Sequence, residues 1–89
     1  MVSRKVVLTN EKGLHLRPAG RVCDLALTFS AKSEMHLGNG IYNLKSMLSV
    51  LSAQVTPGTE MEIVCDGPDE DEALDAICTL LNGDLESGS

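Results

Sequence analysis

The spacing of apolar side chains along these 89 residues switches repeatedly between a period of two and a period near 3.6, in the order β-α-β-β-α-β-α. Val6-Val7-Leu8 reads as a first strand, closed by the turn-forming Asn10-Glu11-Lys12-Gly13. Over residues 16–28, Ala19, Val22, Leu25, Ala26 and Phe29 recur at helical spacing, and Arg17, Arg21 and Asp24 share the opposite, exposed face. Residues 33–37 alternate, Met35 and Leu37 against Glu34 and His36, before Gly38-Asn39-Gly40 turns the chain into residues 41–44 as a hairpin. A two-turn helix starts at Ser46 and stops by Thr56-Pro57-Gly58. Residues 60–65 alternate again, with Met61, Ile63 and Cys65 inward and Glu60, Glu62 and Val64 outward. Gly67-Pro68-Asp69 opens a last helix, whose acidic residues 69–72 read as a capping device and solvated face. Ala73, Leu74, Ile77, Leu80 and Leu81 form its buried stripe, and Asn82-Gly83 ends it.

Strands with one apolar face and helices with one apolar stripe have few ways to bury both. A four-stranded antiparallel sheet with three helices on one face and water on the other satisfies them, an open-faced two-layer α+β sandwich. The expected domain spans residues 1–83, with 84–89 as a flexible polar tail. A chain of this length can bury a modest core without a metal or disulfide. With one Phe, one Tyr and no Trp, that core is aliphatic.

The same composition excludes several functions. Few aromatics and a net charge of −6 argue against stacking on bases or neutralising phosphate backbones, so nucleic acid is a poor partner. No apolar run approaches a membrane span, and Met1-Val2-Ser3-Arg4-Lys5 leads into a strand rather than a signal peptide; the expected location is the cytoplasm, without membrane insertion. Cys23, Cys65 and Cys78 lack metal-ligand spacing and read as reduced, buried thiols. His36 has no second ligand at a useful spacing and reads as a solvated strand residue, so no metal and no cofactor are expected.

His15 carries the strongest chemical signal. It lies in Gly13-Leu14-His15-Leu16-Arg17-Pro18-Ala19, where a strand gives way to a helix. A helix start offers N–H groups without intrahelical partners and a positive dipole end, which suits an anion carried on the imidazole. The same potential disfavours imidazolium and keeps the ring nucleophilic, while Arg17 can neutralise and hydrogen-bond phosphate oxygens. Pro18, favoured in a first helical turn, stiffens the platform. The alternative is a partial cap or a surface histidine. No second base, nucleophile pair or ligand cluster accompanies His15, which argues against a hydrolase or metalloenzyme.

The short helix poses a second question. Ser46, Val50 and Ala53 fall on one side, and Met47, Leu48 and Leu51 cluster on another. Either the helix is sandwiched in the core, or those three form an exposed docking patch; periodicity leaves both open. Ser46 itself suits a helix N-cap.

Residues 13–19 resemble the phosphohistidine signature of the HPr family, the histidine phosphocarriers of the bacterial phosphoenolpyruvate-dependent phosphotransferase system. Lys45-Ser46-Met47-Leu48 resembles that family's second signature, around a regulatory serine. Pro57-Gly58-Thr59 and residues 67–73 look like its turn before the last strand and its entry into the last helix. The likeness runs from Val6 to about Leu81. It implies a stoichiometric carrier rather than an enzyme, monomeric, which takes a phosphoryl group from Enzyme I on His15 Nδ1 with support from Arg17. The acceptor it implies is an Enzyme II A component of sugar uptake. The resemblance further implies Ser46 as a target of an HPr kinase/phosphorylase, and Leu16, Arg21, Met47, Leu48 and Leu51 as partner-docking residues.

Some positions depart from the family's commoner pattern. Leu16 replaces a smaller residue, and Asp24 and Leu27 stand where many relatives carry lysines that meet an acidic Enzyme I surface. Ala53-Gln54 replaces a frequent Leu-Gly. A regulatory phosphocarrier of a nitrogen-related or incomplete phosphotransferase system is the alternative in the same fold. A non-phosphorylated α+β interaction module is the alternative from another class.

Overall fold

The computed structural model describes residues 1–8 and 16–83. Its elements are β1 (Val2–Val7), α1 (Leu16–Leu27), β2 (Lys32–Leu37), β3 (Gly40–Asn43), α2 (Met47–Ser52), β4 (Glu60–Asp66) and α3 (Glu70–Asn82). The turn expected at residues 10–13, His15 and the tail 84–89 lie outside the described residues. The element order and the α+β architecture are those the periodicity predicts.

The strands form one antiparallel sheet in the order β1-β4-β2-β3. β4, the longest strand, pairs with β1 through Val2↔Cys65 to Val7↔Glu60 and with β2 through Lys32↔Asp66 to His36↔Glu62. β1 is longer at its start than Val6-Val7-Leu8 suggests, because β4 supplies ladder partners back to Val2 whatever the local polarity. Leu8 leaves the strand yet stays tied to the turn before β4: its N–H donates to the Thr59 carbonyl at 3.0 Å and its carbonyl accepts from Gly58 at 2.9 Å. Between β2 and β3, φ is positive at Gly38 and not at Asn39, the sign pattern of a II′ hairpin turn, whose twist matches that of the strands.

The inward sheet face supplies Val6, Met35, Met61, Ile63 and Cys65, and the helices cover it with Val22, Ala26, Val50, Leu74, Ile77 and Leu81, all buried. No buried side-chain polar atom among the described residues lacks a hydrogen-bond partner. All three cysteines are free and buried, as expected, and desolvation raises the thiol pKa of Cys65 and Cys78.

Two expectations need correction. Val64 points to the open face but is only 8% exposed, so that face is not uniformly wet; on the central strand, flanked by Ser3 and Glu34 in register, it is shielded from both sides. Asp69, placed as the cap of α3, makes no side-chain bond to its own helix. Its carboxylate instead accepts the N–H groups of Ser30 at 2.9 Å and Ala31 at 2.7 Å, joining the entry of α3 to the α1–β2 turn. Gly67 makes that approach possible: its φ is +155°, and a Cβ there would lie 2.6 Å from the Ala31 Cα. Glu70, the first residue of α3, turns back to the segment before the helix, accepting from the Gly67 N–H at 3.1 Å and from the amino terminus at 3.1 Å.

Candidate functional site

α1 begins at Leu16, the residue after His15 in sequence, so the expected helix start falls where the motif puts it. Helix geometry leaves the N–H groups of this first turn without partners inside the helix, and Pro18, having no N–H, removes one of them from the account. Pro18 is fully buried, and Ala19 and Val22 behind it are buried too, so the first turn is held to the core. Arg17, the second helical residue, is exposed. Arg21, one turn later, is half-buried, and Asp24 is exposed. His15 and the side chain of Leu16 lie outside what the structure describes.

α2 packs beside α1. The Met47 methyl lies 3.5 Å from where a Cβ would stand on Gly20, so α2 sits over the face of α1 that carries Gly20. One turn on, the Cys23 thiol donates to the Lys45 carbonyl at 3.3 Å. The Lys45 ammonium donates to the Phe29 carbonyl at 2.8 Å, which ties this cation to the α1–β2 turn. Nothing in the spacing of the sequence signals this tether. The β3–α2 joint is held by the Asn43 side chain, which accepts from the Lys45 N–H at 2.9 Å, and by the Ser49 hydroxyl, which accepts from the Asn43 N–H at 2.8 Å.

Ser46 is the N-cap of α2, in extended conformation at φ −113° and ψ 117°, and its hydroxyl oxygen accepts from the Ser49 N–H at 3.3 Å. The question of the short helix resolves residue by residue. Val50 is fully buried, Met47 and Leu51 are half-buried against the core, and Leu48 is 81% exposed. The apolar patch therefore has one protruding side chain flanked by two anchored ones. Leu27 at the end of α1, on the polar side of the periodicity, is a second exposed leucine at 58%.

The opposite, open face of the sheet offers little room for a ligand. His36 makes a 3.2 Å contact through Nε2 to the Glu34 carboxylate, on the face where Glu62 is its register partner. Lys5, His36, Glu60, Met61 and Glu62 line a depression of about 140 Å³ there, smaller than the roughly 300–1,000 Å³ usual for small-molecule sites. Among the described residues no group of three or more His, Cys, Asp or Glu side chains is placed to hold a metal ion, and no helix is long and apolar enough to cross a membrane.

The family model described as the PTS HPr component phosphorylation site matches residues 2–83. A phosphocarrier protein HPr of Treponema pallidum is 35% identical over 86 residues, covering 97% of this chain and 98% of that protein. A phosphocarrier protein NPr of Shewanella violacea is 32% identical over 88 residues, covering 99% of this chain and 97% of that one. Among solved structures, a crystal structure of HPr-C-His from Thermoanaerobacter tengcongensis superposes with a TM-score of 0.88 at 31% identity, covering 91% of each chain.

Proposed function

The chain belongs to the HPr family of phosphocarriers of the phosphotransferase system, and we propose that within it His15 accepts a phosphoryl group from Enzyme I and passes it to an Enzyme II A component for sugar uptake. The observation that carries this reading is the match to a phosphorylation-site family over residues 2–83, with Arg17 exposed in the first turn of the helix that follows His15. The imidazole lone pair attacks phosphorus, the new N–P bond forms as the donor's bond to phosphorus breaks, and the donor leaves with that electron pair. Transfer onward reverses the roles, so the protein ends each cycle unchanged and acts as a carrier. The helix start and the Arg17 guanidinium stabilise the charge on the phosphoryl oxygens, the guanidinium through paired N–H donors that a lysine lacks.

Ser46 fits a regulatory phosphorylation by an HPr kinase/phosphorylase. Its hydroxyl is bound to the Ser49 N–H at the start of α2, where the dipole tolerates a phosphate, and Leu48, the exposed centre of the patch, is two residues away. Arg21, Leu16, Met47, Leu48 and Leu51 would form the docking surface around His15.

Incubation with Enzyme I and phosphoenolpyruvate tests the central step. Intact mass should rise by one phosphoryl group, the modification should be acid-labile, and His15→Ala should abolish it. A wild-type protein that gains no label would leave only the interaction-module reading. A second reading, a regulatory carrier of a nitrogen-related branch, draws on the NPr relative, whose identity to this chain is close to that of the HPr relatives. Reconstituted sugar phosphorylation separates the two, since a purely regulatory carrier would be labelled on His15 yet support no sugar phosphate formation.

A further inference from the structure

The backbone of the α1–β2 turn is gripped by two side chains distant from it in sequence. The Asp69 carboxylate accepts the N–H groups of Ser30 at 2.9 Å and Ala31 at 2.7 Å, and the Lys45 ammonium donates to the Phe29 carbonyl at 2.8 Å. The bonds from Ser30 and Ala31 lower the Asp69 pKa and the Lys45 charge lowers it further, so cation and carboxylate bracket the same three residues. Lys45 is held through its backbone as well: its N–H donates to the Asn43 side chain at 2.9 Å, and its carbonyl accepts from the Cys23 thiol at 3.3 Å. One residue thus joins the start of α2 to α1 and to the turn that follows α1.

Of the two grips, the one from Lys45 is the easier to displace. It rests on a single neutral carbonyl, and an ammonium gains more from a phosphate, because both partners then carry charge. The next residue in the chain is Ser46, whose Cα lies about 3.8 Å from that of Lys45 across the peptide bond, within the span of a flexible four-carbon stem. A phosphate on Ser46 sets about −1.5 to −2 charges and three acceptor oxygens beside a cation whose present partner is weaker.

Resting on the regulatory reading of Ser46 above, we propose that Lys45 carries the state of that serine to the α1–β2 turn: a phosphate on Ser46 draws the Lys45 ammonium off the Phe29 carbonyl and leaves the grip on the turn to Asp69. In the unmodified protein the turn is tied to the start of α2. In the modified one the Phe29 carbonyl returns to solvent, and α1 and β2 are joined by a looser segment. Lys45 acts through the Phe29 carbonyl and takes no part in the chemistry at His15, so it is a positioning residue.

The test installs phosphoserine at position 46 by peptide ligation, without a kinase, in the wild-type chain and in Lys45→Met and Lys45→Arg. The carbonyl carbon shift of Phe29 and amide hydrogen exchange at Ser30 and Ala31 report on the turn. In the wild-type chain phosphoserine should move the Phe29 shift and speed exchange at both amides about tenfold, the effect of losing one hydrogen bond from a charged group, with exchange at Leu74 and Ile77 in α3 unchanged. Lys45→Met should exchange at the faster rate with or without the phosphate, and Lys45→Arg, which keeps the charge, should respond as wild type does. A thermal melt of each variant confirms that the fold is intact. Equal shifts and exchange rates for serine and phosphoserine in the wild-type chain overturn the proposal, as does a phosphate response of the same size in Lys45→Met. Phosphoryl transfer from Enzyme I to His15, measured on the same samples, tests the regulatory reading separately. Slowed transfer with an unchanged turn overturns the coupling alone, and unchanged transfer with a loosened turn overturns the regulatory reading alone.

Discussion

Replacing Leu48 by Asp separates docking from folding with a sign that is easy to get wrong by intuition. Introducing a carboxylate at a leucine usually unfolds a small domain, but this leucine is 81% exposed and is the second residue of α2. Leucine is the better helix former by about 0.5 kcal/mol. A carboxylate in the first turn recovers about 0.3–1 kcal/mol from the helix dipole. The two nearly cancel, and the global stability should move by no more than about 0.5 kcal/mol, the range of ordinary surface substitutions. Docking is affected differently. Full burial of a leucine is worth about 1.5–3 kcal/mol, and about four-fifths of that surface remains available to a partner, so its loss weakens binding by about 2 kcal/mol, or roughly 30-fold, before the carboxylate's own desolvation is added. Measured by phosphorylation of His15 with Enzyme I and phosphoenolpyruvate, KM should rise by that order and kcat should hold. A thermal melt should superimpose on wild type within a few degrees. A fall in stability of several kcal/mol would show Leu48 to be buried in the native state. An unchanged KM with an intact fold would show that the α2 patch does not meet Enzyme I.

Three further outcomes follow from local geometry. Gln54, just after α2, holds φ at +52°, a conformation costing a residue with a Cβ about 1–2 kcal/mol, so Gln54→Gly should raise stability by about 0.5–1 kcal/mol after its extra unfolded-state freedom is counted, with Gln54→Ala giving no gain in urea melts. Ser46→Ala should cost about 1 kcal/mol by removing the bond from the Ser49 N–H, while Ser46→Asp should keep or slightly raise the thermal midpoint and yet slow phosphoryl transfer from Enzyme I. Equal transfer rates for Ser46→Asp, an authentically phosphorylated sample and wild type would leave Ser46 a structural cap. Backbone N–H bonds lower the carboxyl pKa of Asp69, from Ser30 and Ala31, and of Glu70, from Gly67. Their stabilisation is therefore present above the ordinary carboxylate range near pH 4 and is lost as pH falls through the depressed native values, so Asp69→Asn should flatten the acid arm of stability against pH.

The element order, the strand and helix faces and the buried thiols were readable from the sequence because each depends on short-range periodicity. Met35, Met61 and Ile63 alternate with polar neighbours, and Ala19, Val22 and Ala26 recur each turn, whatever lies across the core. The family was readable as well, from residues 13–19 and 45–48 and their separation, and the match over residues 2–83 agrees. Tertiary structure decided everything that depends on a partner distant in sequence. Val2 joins β1 because β4 lies beside it, and Val64 is shielded because its strand is central. Asp69 leaves its own helix for Ser30 and Ala31 because Gly67 lets the α1–β2 turn approach. Of the three apolar residues clustered on α2, only Leu48 protrudes, because Met47 settles over Gly20 and Leu51 reaches the core. Periodicity reports which side of an element is apolar, whereas exposure depends on how much of that side a neighbouring element of finite length can cover.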